Sequence, residues 1–300
     1  MSRRGCSPTC RKRRGRRAWV ARFTIRRKQL SALRLSAFSF SNRLPIISLA
    51  SGDLPDHPRQ VSSDKIFLRA EWRHLAMLNY EVDARLLLPL VPAGTELDWW
   101  NGRVFVSLVG FRFLKTRMFG WLAIPMHSNF EEVNLRFYVR RQMGNEVRRG
   151  VVFIQETVPR RAIAFVARVF YNENYVAAPM AHEILPVGDG LSVAYRWRCG
   201  TRWDQIKVET TGNSELPAEG SVEQFITEHY WGYATQRDGG CMEYRVTHPA
   251  WKVWQVRRCA FDGDAEEFYG IEMARVLAGE PQSAFLAEGS AVGVMQGSRL

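Results

Sequence analysis

The segment FEEVNLRFYVRRQ, residues 130–142, constrains the fold most, because its apolar and polar residues alternate with a period of two. In a β-strand, successive side chains point to opposite faces, so this alternation predicts a strand with two different faces. The apolar face consists of Val133, Leu135, Phe137 and Val139, and the polar face of Glu132, Asn134, Arg136 and Tyr138. In a barrel one of these faces points inward, but the alternation alone does not say which.

Further segments also read as strands. Asn101-Gly102 is the dipeptide that most strongly favours a two-residue hairpin turn, and aromatic and β-branched residues flank it. Other strand-like stretches are RRGVVFIQETV, LSVAYRWRC, WDQIKVETTG and CMEYRVTHPAWKVWQVRRCAF. This succession without a βαβ rhythm predicts a mainly β (α+β) fold with antiparallel pairing.

Helical patterns are few and short, which places helices at the periphery of this fold. They begin near Asp83, Pro159, Ser221 and Ala265. The helix that begins near Ser221 is the most clearly indicated, since Ser221 and Gln224 have the spacing of a capping box.

The positive charge of the chain is confined to one end. The net charge is +12, and residues 1–52 contain fourteen Arg or Lys and no Asp or Glu, which leaves 28 basic and 30 acidic residues in the remainder. The remainder therefore shows no electrostatic footprint for DNA or RNA, and we expect no nucleic acid partner for it. Residues 1–64 are expected to be a disordered basic extension and linker with few contacts to the domain. Three interpretations stay open: an upstream stretch mistakenly read as coding, a transit peptide, or a functional basic arm.

The sequence predicts one domain from residue 65 to residue 282, followed by a small, polar and disordered tail at residues 283–300. No stretch approaches the roughly 20 apolar residues of a membrane span, so no membrane partner is expected. The five cysteines contain no CxxC pair, which fits free thiols in a reducing cytoplasm.

Five stretches together resemble one known family. They are AEWRHLAMLNYEVD, WNGRVFVSLVGFRFLKTR, NFEEVNLRFYVRR, RRGVVFIQETVPRRAIAFVAR and FYNENYVAAPM. The chain is similar in these stretches to the DUF2071 family, also called YqjF-like, over about residues 67–278. That family resembles acetoacetate decarboxylase, which implies a central antiparallel β-barrel or cone around a small-molecule cavity.

The resemblance also implies a chemistry that this sequence cannot perform in full. In acetoacetate decarboxylase a lysine with a lowered pKa forms a Schiff base with the ketone of the substrate. That lysine corresponds to a position near residues 171–179, where this chain reads YNENYVAAP, and no lysine occurs between Lys115 and Lys207. We therefore expect no decarboxylation through an imine.

The resemblance implies that the strand at residues 130–139 contributes to the cavity. Glu131 and Glu132 fall at the place of the decarboxylase carboxylate and are the candidate catalytic bases. Arg136 offers a planar fork that suits a carboxylate, and Asn134 and Tyr138 share its face. A buried Glu–Arg pair that only braces the barrel is the structural alternative.

Further candidate binding residues lie later in the chain. Tyr171, Asn172 and Tyr175 carry groups that can hydrogen-bond a carbonyl, although a turn explains them equally well. His248 could reach the cavity or be a structural histidine. The six histidines show no HxH, HxxH or HExxH spacing, so neither a metal nor another cofactor is expected.

Two functional hypotheses follow. The first is a barrel that binds a small carbonyl or carboxylate compound and acts on it as a lyase or hydrolase without imine formation. The second is a non-catalytic binding protein with the same cavity. Homo-oligomer formation stays open. A nucleic-acid-binding role would depend wholly on residues 1–52.

Overall fold

The computed structural model describes residues 65–123, 128–159 and 174–300. The predicted extension at residues 1–64 and nearly all of the predicted helix that starts at Pro159 lie outside these ranges. Within them the strands are β1 (Ile66–Val82), β2 (Glu96–Leu97), β3 (Val104–Met118), β4 (Leu122–Ala123), β5 (Phe130–Met143), β6 (Glu146–Val158), β7 (Tyr175–Ala177), β8 (Met180–Val187), β9 (Gly190–Cys199), β10 (Arg202–Glu215), β11 (Trp231–Thr235), β12 (Cys241–Thr247), β13 (Val253–Asp262), β14 (Ser283–Met295) and β15 (Ser298–Arg299).

Three α-helices accompany the strands in the described residues: α1 (Ala84–Leu87), which a 3-10 turn Leu88–Leu90 extends, α2 (Val222–Thr227) and α3 (Ala265–Leu277). Ser221 caps α2 as predicted, because its hydroxyl accepts a hydrogen bond from the backbone N–H of Gln224 at 3.2 Å. Gly270 interrupts α3 with a φ of 81°. Within the described residues the helices are thus few and short, as the sequence predicted.

The central strands pair into a closed ring. The order β12-β11-β6-β5-β3-β1-β14 closes on itself because β12 also pairs with β14, at Val246↔Val294 and Thr247↔Gly293. The strands β13, β10, β9 and β8 continue the sheet outward from β14. Most pairings are antiparallel, and β6 with β11 and β6 with β7 are parallel. This arrangement confirms the predicted mainly β, antiparallel fold.

The C-terminal segment corrects the predicted domain boundary. Residues 283–295 form β14, which pairs along nearly the whole of β1 and also with β13. The expectation of a disordered tail was wrong because its alanines, glycines and serines give little strand signal, whereas here they allow close packing. Phe285, Leu286 and Ala287 are fully buried. At Gly289, whose φ is 73°, a Cβ atom would lie 2.0 Å from the carbonyl oxygen of Trp72.

The predicted turn at Asn101-Gly102 is confirmed, but its first arm is not a long strand. Asn101 and Gly102 have φ values of 50° and 75°, and Trp100 pairs with Arg103 across them. Two consecutive positive φ angles are those of a type I′ hairpin turn. The preceding strand β2 is only two residues long and pairs with β5 instead of β3.

The strand β5 is buried on both faces. Its apolar face, including Val133, Leu135 and Phe137, packs in a core with residues of β9 and β10 such as Tyr195 and Ile206. Its other face turns toward the inside of the closed ring. One face therefore meets the apolar core and the other meets the cavity, which explains why apolar and polar residues alternate in a strand that is buried on both faces.

Candidate functional site

A cavity of about 200 Å³ lies inside the closed ring of strands. It is smaller than the roughly 300–1,000 Å³ of common ligand pockets, so it suits a small compound. Much of its wall is aromatic, as the side chains of Trp72, Phe111, Phe113, Phe130 and Trp251 show. Their rings provide large, rigid apolar surfaces, against which the few polar groups stand out.

The polar face of β5 supplies one wall of this cavity. Glu132, Asn134 and Arg136 follow one another at every second position and all line it. The amide nitrogen of Asn134 donates to Oε1 of Glu132 at 3.0 Å. From β7, the hydroxyl of Tyr175 donates to Oε2 of the same carboxylate at 3.3 Å. Both oxygens of Glu132 are therefore already hydrogen-bond acceptors.

Arg136 is the buried cation of the site. Only 7% of its surface is exposed, and it forms no salt bridge with any described residue. Its Nε has no hydrogen-bond partner in the described part of the chain, and its Nη2 lies 4.0 Å from the sulfur of Met77. The guanidinium also sits 5.7 Å from the centre of the Tyr138 ring. A buried cation without a paired anion is costly, so this position favours a negatively charged group.

A histidine–aspartate pair lies in the same wall. His229 lines the cavity, and its Nε2 lies 3.1 Å from Oδ2 of Asp98. Arg149 donates its Nε–H to the same oxygen at 2.7 Å. Burial would raise the pKa of Asp98, but hydrogen bonding and charge from His229 and Arg149 hold it below its usual value. Asp98 is therefore a carboxylate that accepts from both neighbours.

The protonation of His229 follows from this environment. Burial lowers the pKa of His229 to about 4; the hydrogen bond to Asp98 opposes this shift, whereas the charges of Arg149 and Arg136 add to it. The ring is neutral near pH 7 and carries its proton on Nε2, facing Asp98. Its Nδ1 is then an acceptor, and it has no hydrogen-bond partner among the described residues.

The remaining predicted site residues are placed as follows. Glu131 points to the opposite face of β5, because it is one position out of phase, and it lies 2.5 Å from Nδ1 of His182. The structure does not bring Glu131 to the cavity. The hydroxyl of Tyr138 lies 2.6 Å from Oγ of Ser107, so this side chain is buried beside the cavity instead of lining it.

His248 does line the cavity. Its ring stacks on Trp251 at 4.1 Å, and its Nδ1–H donates to the carbonyl oxygen of Pro249 at 2.9 Å. Burial lowers the pKa of His248 despite that hydrogen bond, and the charge of Arg136 adds to the effect. Tyr171 and Asn172, the other two predicted binding residues, lie outside the described residues.

The sequence of the ring strands matches one family model over residues 69–291, which is most of the chain. The chain belongs to the DUF2071 family. That family is described as an uncharacterized conserved protein. The DUF2071 chain is 27% identical to the uncharacterized protein YqjF of Bacillus subtilis over 183 residues, which cover 61% of this chain and 73% of the relative.

Solved structures show which fold this DUF2071 chain shares. It is similar to acetoacetate decarboxylase from Legionella pneumophila, with a TM-score of 0.55 and 14% identity over 84% of this chain and 98% of that one. It is also similar to the enduracididine biosynthesis enzyme MppR complexed with pyruvate, with a TM-score of 0.55 and 11% identity over 80% and 93% of the two chains. The resemblance in fold is thereby confirmed.

The lysines of the DUF2071 domain do not reach the cavity. Lys115 pairs with Glu71 at 2.6 Å and Lys207 with Glu209 at 3.1 Å. Lys252 is exposed. Within the described residues the cavity therefore offers no amine for a Schiff base.

Among the residues that the structure describes, no group of three or more His, Cys, Asp or Glu side chains is arranged to hold a metal ion. No helix in those ranges is long and apolar enough to cross a membrane.

Sequence reasoning missed the pair formed by Asp98 and His229. The two residues are 131 positions apart, and no spacing motif joins them. A search for metal-ligand patterns passes over a histidine that is held by one carboxylate. Only knowledge of the sheet topology could have indicated the pair. The strand β2 pairs with β5, and Asp98, the residue that follows β2, donates its backbone N–H to the carbonyl of Tyr138 at 3.0 Å.

Proposed function

We propose that this DUF2071 protein binds a small carboxylate or carbonyl compound in its barrel cavity and that Arg136 contacts the charged or polar oxygen atoms of that compound. The observation that carries this proposal is the buried guanidinium of Arg136, which has no salt bridge among the described residues. An arginine fork can bind a carboxylate through two parallel hydrogen bonds, and the low dielectric around a buried guanidinium strengthens them.

The shape of the site supports the same class of ligand. The cavity is small, β5 brings three polar side chains to one wall, and aromatic rings line much of the remainder. A structure of similar fold is that of MppR complexed with pyruvate, a small carboxylate that also carries a carbonyl group. The body of the ligand would pack on the rings while its carboxylate faces Arg136.

The catalytic form of the proposal assigns a role to Glu132. An enzyme of the lyase or hydrolase type without a Schiff base needs a proton acceptor at the ligand, and Glu132 is a carboxylate in the cavity wall. The competing form is a non-catalytic binding protein, favoured by the hydrogen bonds that Asn134 and Tyr175 already give to both oxygens of Glu132. Such bonds stabilise the charged form and make a carboxylate a weaker base.

Binding to Arg136 is tested by calorimetry with pyruvate, acetoacetate and phenylglyoxylate, using the wild-type chain, Arg136→Ala and Arg140→Ala. Arg140 is the matched control, because it lies on the same strand, is exposed and pairs with Glu96 at 2.8 Å. We expect Arg136→Ala to lose binding by at least about tenfold, since hydrogen bonds to charged groups contribute about 1.5–3 kcal/mol. Equal affinities in all three proteins would contradict the proposal.

A second measurement separates the enzyme from the binding protein. The compound that binds is incubated with wild-type protein and with Glu132→Gln, and its conversion is followed by NMR. Turnover that Glu132→Gln abolishes while binding persists supports the enzyme. Binding without turnover in either protein supports the non-catalytic alternative.

A further inference from the structure

Oδ1 of Asn134 and Nδ1 of His229 are hydrogen-bond acceptors in residues of the cavity wall, and neither has a donor among the described residues. Both residues are more than nine-tenths buried. A buried acceptor without a donor is costly, so their chemical identity narrows the class of ligand that the cavity accepts. This step rests on the proposed function.

The orientation of the Asn134 amide follows from its partner. Its Nδ2 faces Oε1 of Glu132 at 3.0 Å, and the other oxygen of Glu132 accepts the hydroxyl of Tyr175. The nitrogen of Asn134 therefore faces a carboxyl oxygen of Glu132 that accepts its hydrogen bond. Oδ1 is then the atom that remains, and it can only accept.

The tautomer of His229 is decided in the same way. Oδ2 of Asp98 accepts from Arg149 and faces Nε2 of His229, so Nε2 must carry the ring proton. The neutral ring therefore presents a lone pair at Nδ1. The ring of Tyr138 holds the imidazole from one side at 4.6 Å, and Phe225 packs edge-on at 5.2 Å.

Arg136 supplies the opposite kind of group on the same wall. Its Nε–H is a donor without a partner in the described part of the chain, and its positive charge acts on both His229 and His248. Arg136 and Asn134 are two positions apart on one face of β5, and Tyr138 contacts both Arg136 and His229. These three side chains thus combine one cationic donor with two neutral acceptors, beside the carboxyl groups of Glu132 and Glu156, which also line the cavity.

We propose that the ligand is a small hydroxy acid, whose carboxylate pairs with Arg136 and whose hydroxyl group donates to Nδ1 of His229. Oδ1 of Asn134 accepts from a second donor where the ligand carries one. An oxo acid of the same skeleton matches Arg136 equally well, but it brings a carbonyl oxygen against a lone pair. Because a carbonyl cannot donate, the acceptor at His229 stays unpaired and the oxo acid binds more weakly.

Matched pairs of acids isolate this difference. Lactate and pyruvate, 3-hydroxybutyrate and acetoacetate, and mandelate and phenylglyoxylate each differ only in a C–OH against a C=O group. In calorimetric titrations with the full-length protein at pH 7.5, we expect the hydroxy acid of at least one pair to bind about tenfold or more tightly than its oxo partner. The ratio of the two affinities should fall toward one in His229→Phe, because phenylalanine keeps an aromatic ring at this position but removes the hydrogen-bond acceptor.

A matched variant shows whether the effect is specific to His229. His182→Phe is this control, because His182 pairs with Glu131 on the other face of β5, and it should keep the preference. Nitrogen-15 spectra of the wild-type histidines provide a readout that needs no variant, and we expect His229 to be neutral with its proton on Nε2.

The outcomes are distinct. If neither member of any pair binds, the proposed function fails and the hydroxy-acid assignment fails with it. If oxo acids bind as tightly as hydroxy acids or more so, or if His229 carries its proton on Nδ1, the assignment is overturned while carboxylate binding at Arg136 stands. Retention of the preference in His229→Phe would also overturn it.

Discussion

The Nε2 atom of His229 lies 3.1 Å from Oδ2 of Asp98, although 131 positions separate the two residues in the chain. Both side chains are buried, and Arg149 donates to the same carboxylate oxygen at 2.7 Å. The pair fixes the imidazole in one orientation and one tautomer. It also couples the stability of the fold to pH, because a buried neutral histidine resists protonation.

The stability of the fold should fall as the pH falls from about 6.5 to about 4. Burial first, and then the positive charges of Arg149 and Arg136, lower the pKa of His229 from 6.5 to about 4. In this window the unfolded chain binds a proton that the folded chain refuses, which can remove up to about 3 kcal/mol of unfolding free energy. Urea unfolding at several pH values measures this loss, and His229→Gln should show a shallower dependence. Identical pH profiles would show that His229 is not the group responsible.

Gly102→Val should reduce the unfolding free energy by about 1 kcal/mol or more. Gly102 has a φ of 75°, which a β-branched residue adopts only with strain, and no neighbouring atom lies within 4 Å of its Cβ position, so crowding adds nothing. The control is Gly102→Asn, because asparagine tolerates this conformation. The comparison is made by urea unfolding. An unchanged midpoint for Gly102→Val would show that this turn does not hold its positive φ in solution.

Removal of residues 283–300 should abolish folding. The deletion takes away β14, which lies between β1 and β13, and with it the fully buried Phe285 and Leu286. Circular dichroism and thermal melting report the result. Deletion of residues 1–60 is the contrasting experiment, since their uncompensated positive charge predicts an unchanged melting temperature. A cooperative transition after the C-terminal deletion would contradict the central place of β14.

Borohydride treatment in the presence of acetoacetate should leave the protein without an adduct. An imine needs a deprotonated lysine at the substrate, and the lysines from Lys65 onward lie outside the cavity wall. Intact-mass spectrometry detects the reduced adduct, and an acetoacetate decarboxylase with its lysine serves as the positive control. Labelling at any lysine of the DUF2071 domain would restore Schiff-base chemistry as a candidate.

The strands were predictable from sequence where side-chain periodicity was strong. The period of two from Glu132 to Val139 separates the two faces of β5, and Asn101-Gly102 encodes its own turn through residues that accept a positive φ. Both signals are local, since they depend on neighbours a few positions apart. Local signals can be recognised in the sequence without knowledge of the tertiary structure.

The predictions that were wrong or missing concerned features that depend on long-range packing. Gly289 and its small neighbours in β14 look like a tail because their strand conformation is imposed by β1 and β13 on either side. Glu131 looked equivalent to Glu132 by chemistry, although a single position along the strand separates the two faces. Asp98 and His229 carry no shared pattern, because only the pairing of β2 with β5 and of β11 with β6 brings their segments together.

The burial of β5 on both faces has a consequence for how this family can vary. Every residue from Glu132 to Val139 is buried, so one face cannot drift freely as the wet side of an ordinary sheet does. Random substitution along this strand should therefore lower the stability of the fold at nearly every position. A polar replacement on one face enters the apolar core, and a replacement on the other face disturbs buried hydrogen bonds such as that between Asn134 and Glu132. Tolerated substitutions are left to the strands and loops across the cavity, while β5 stays fixed as the common wall.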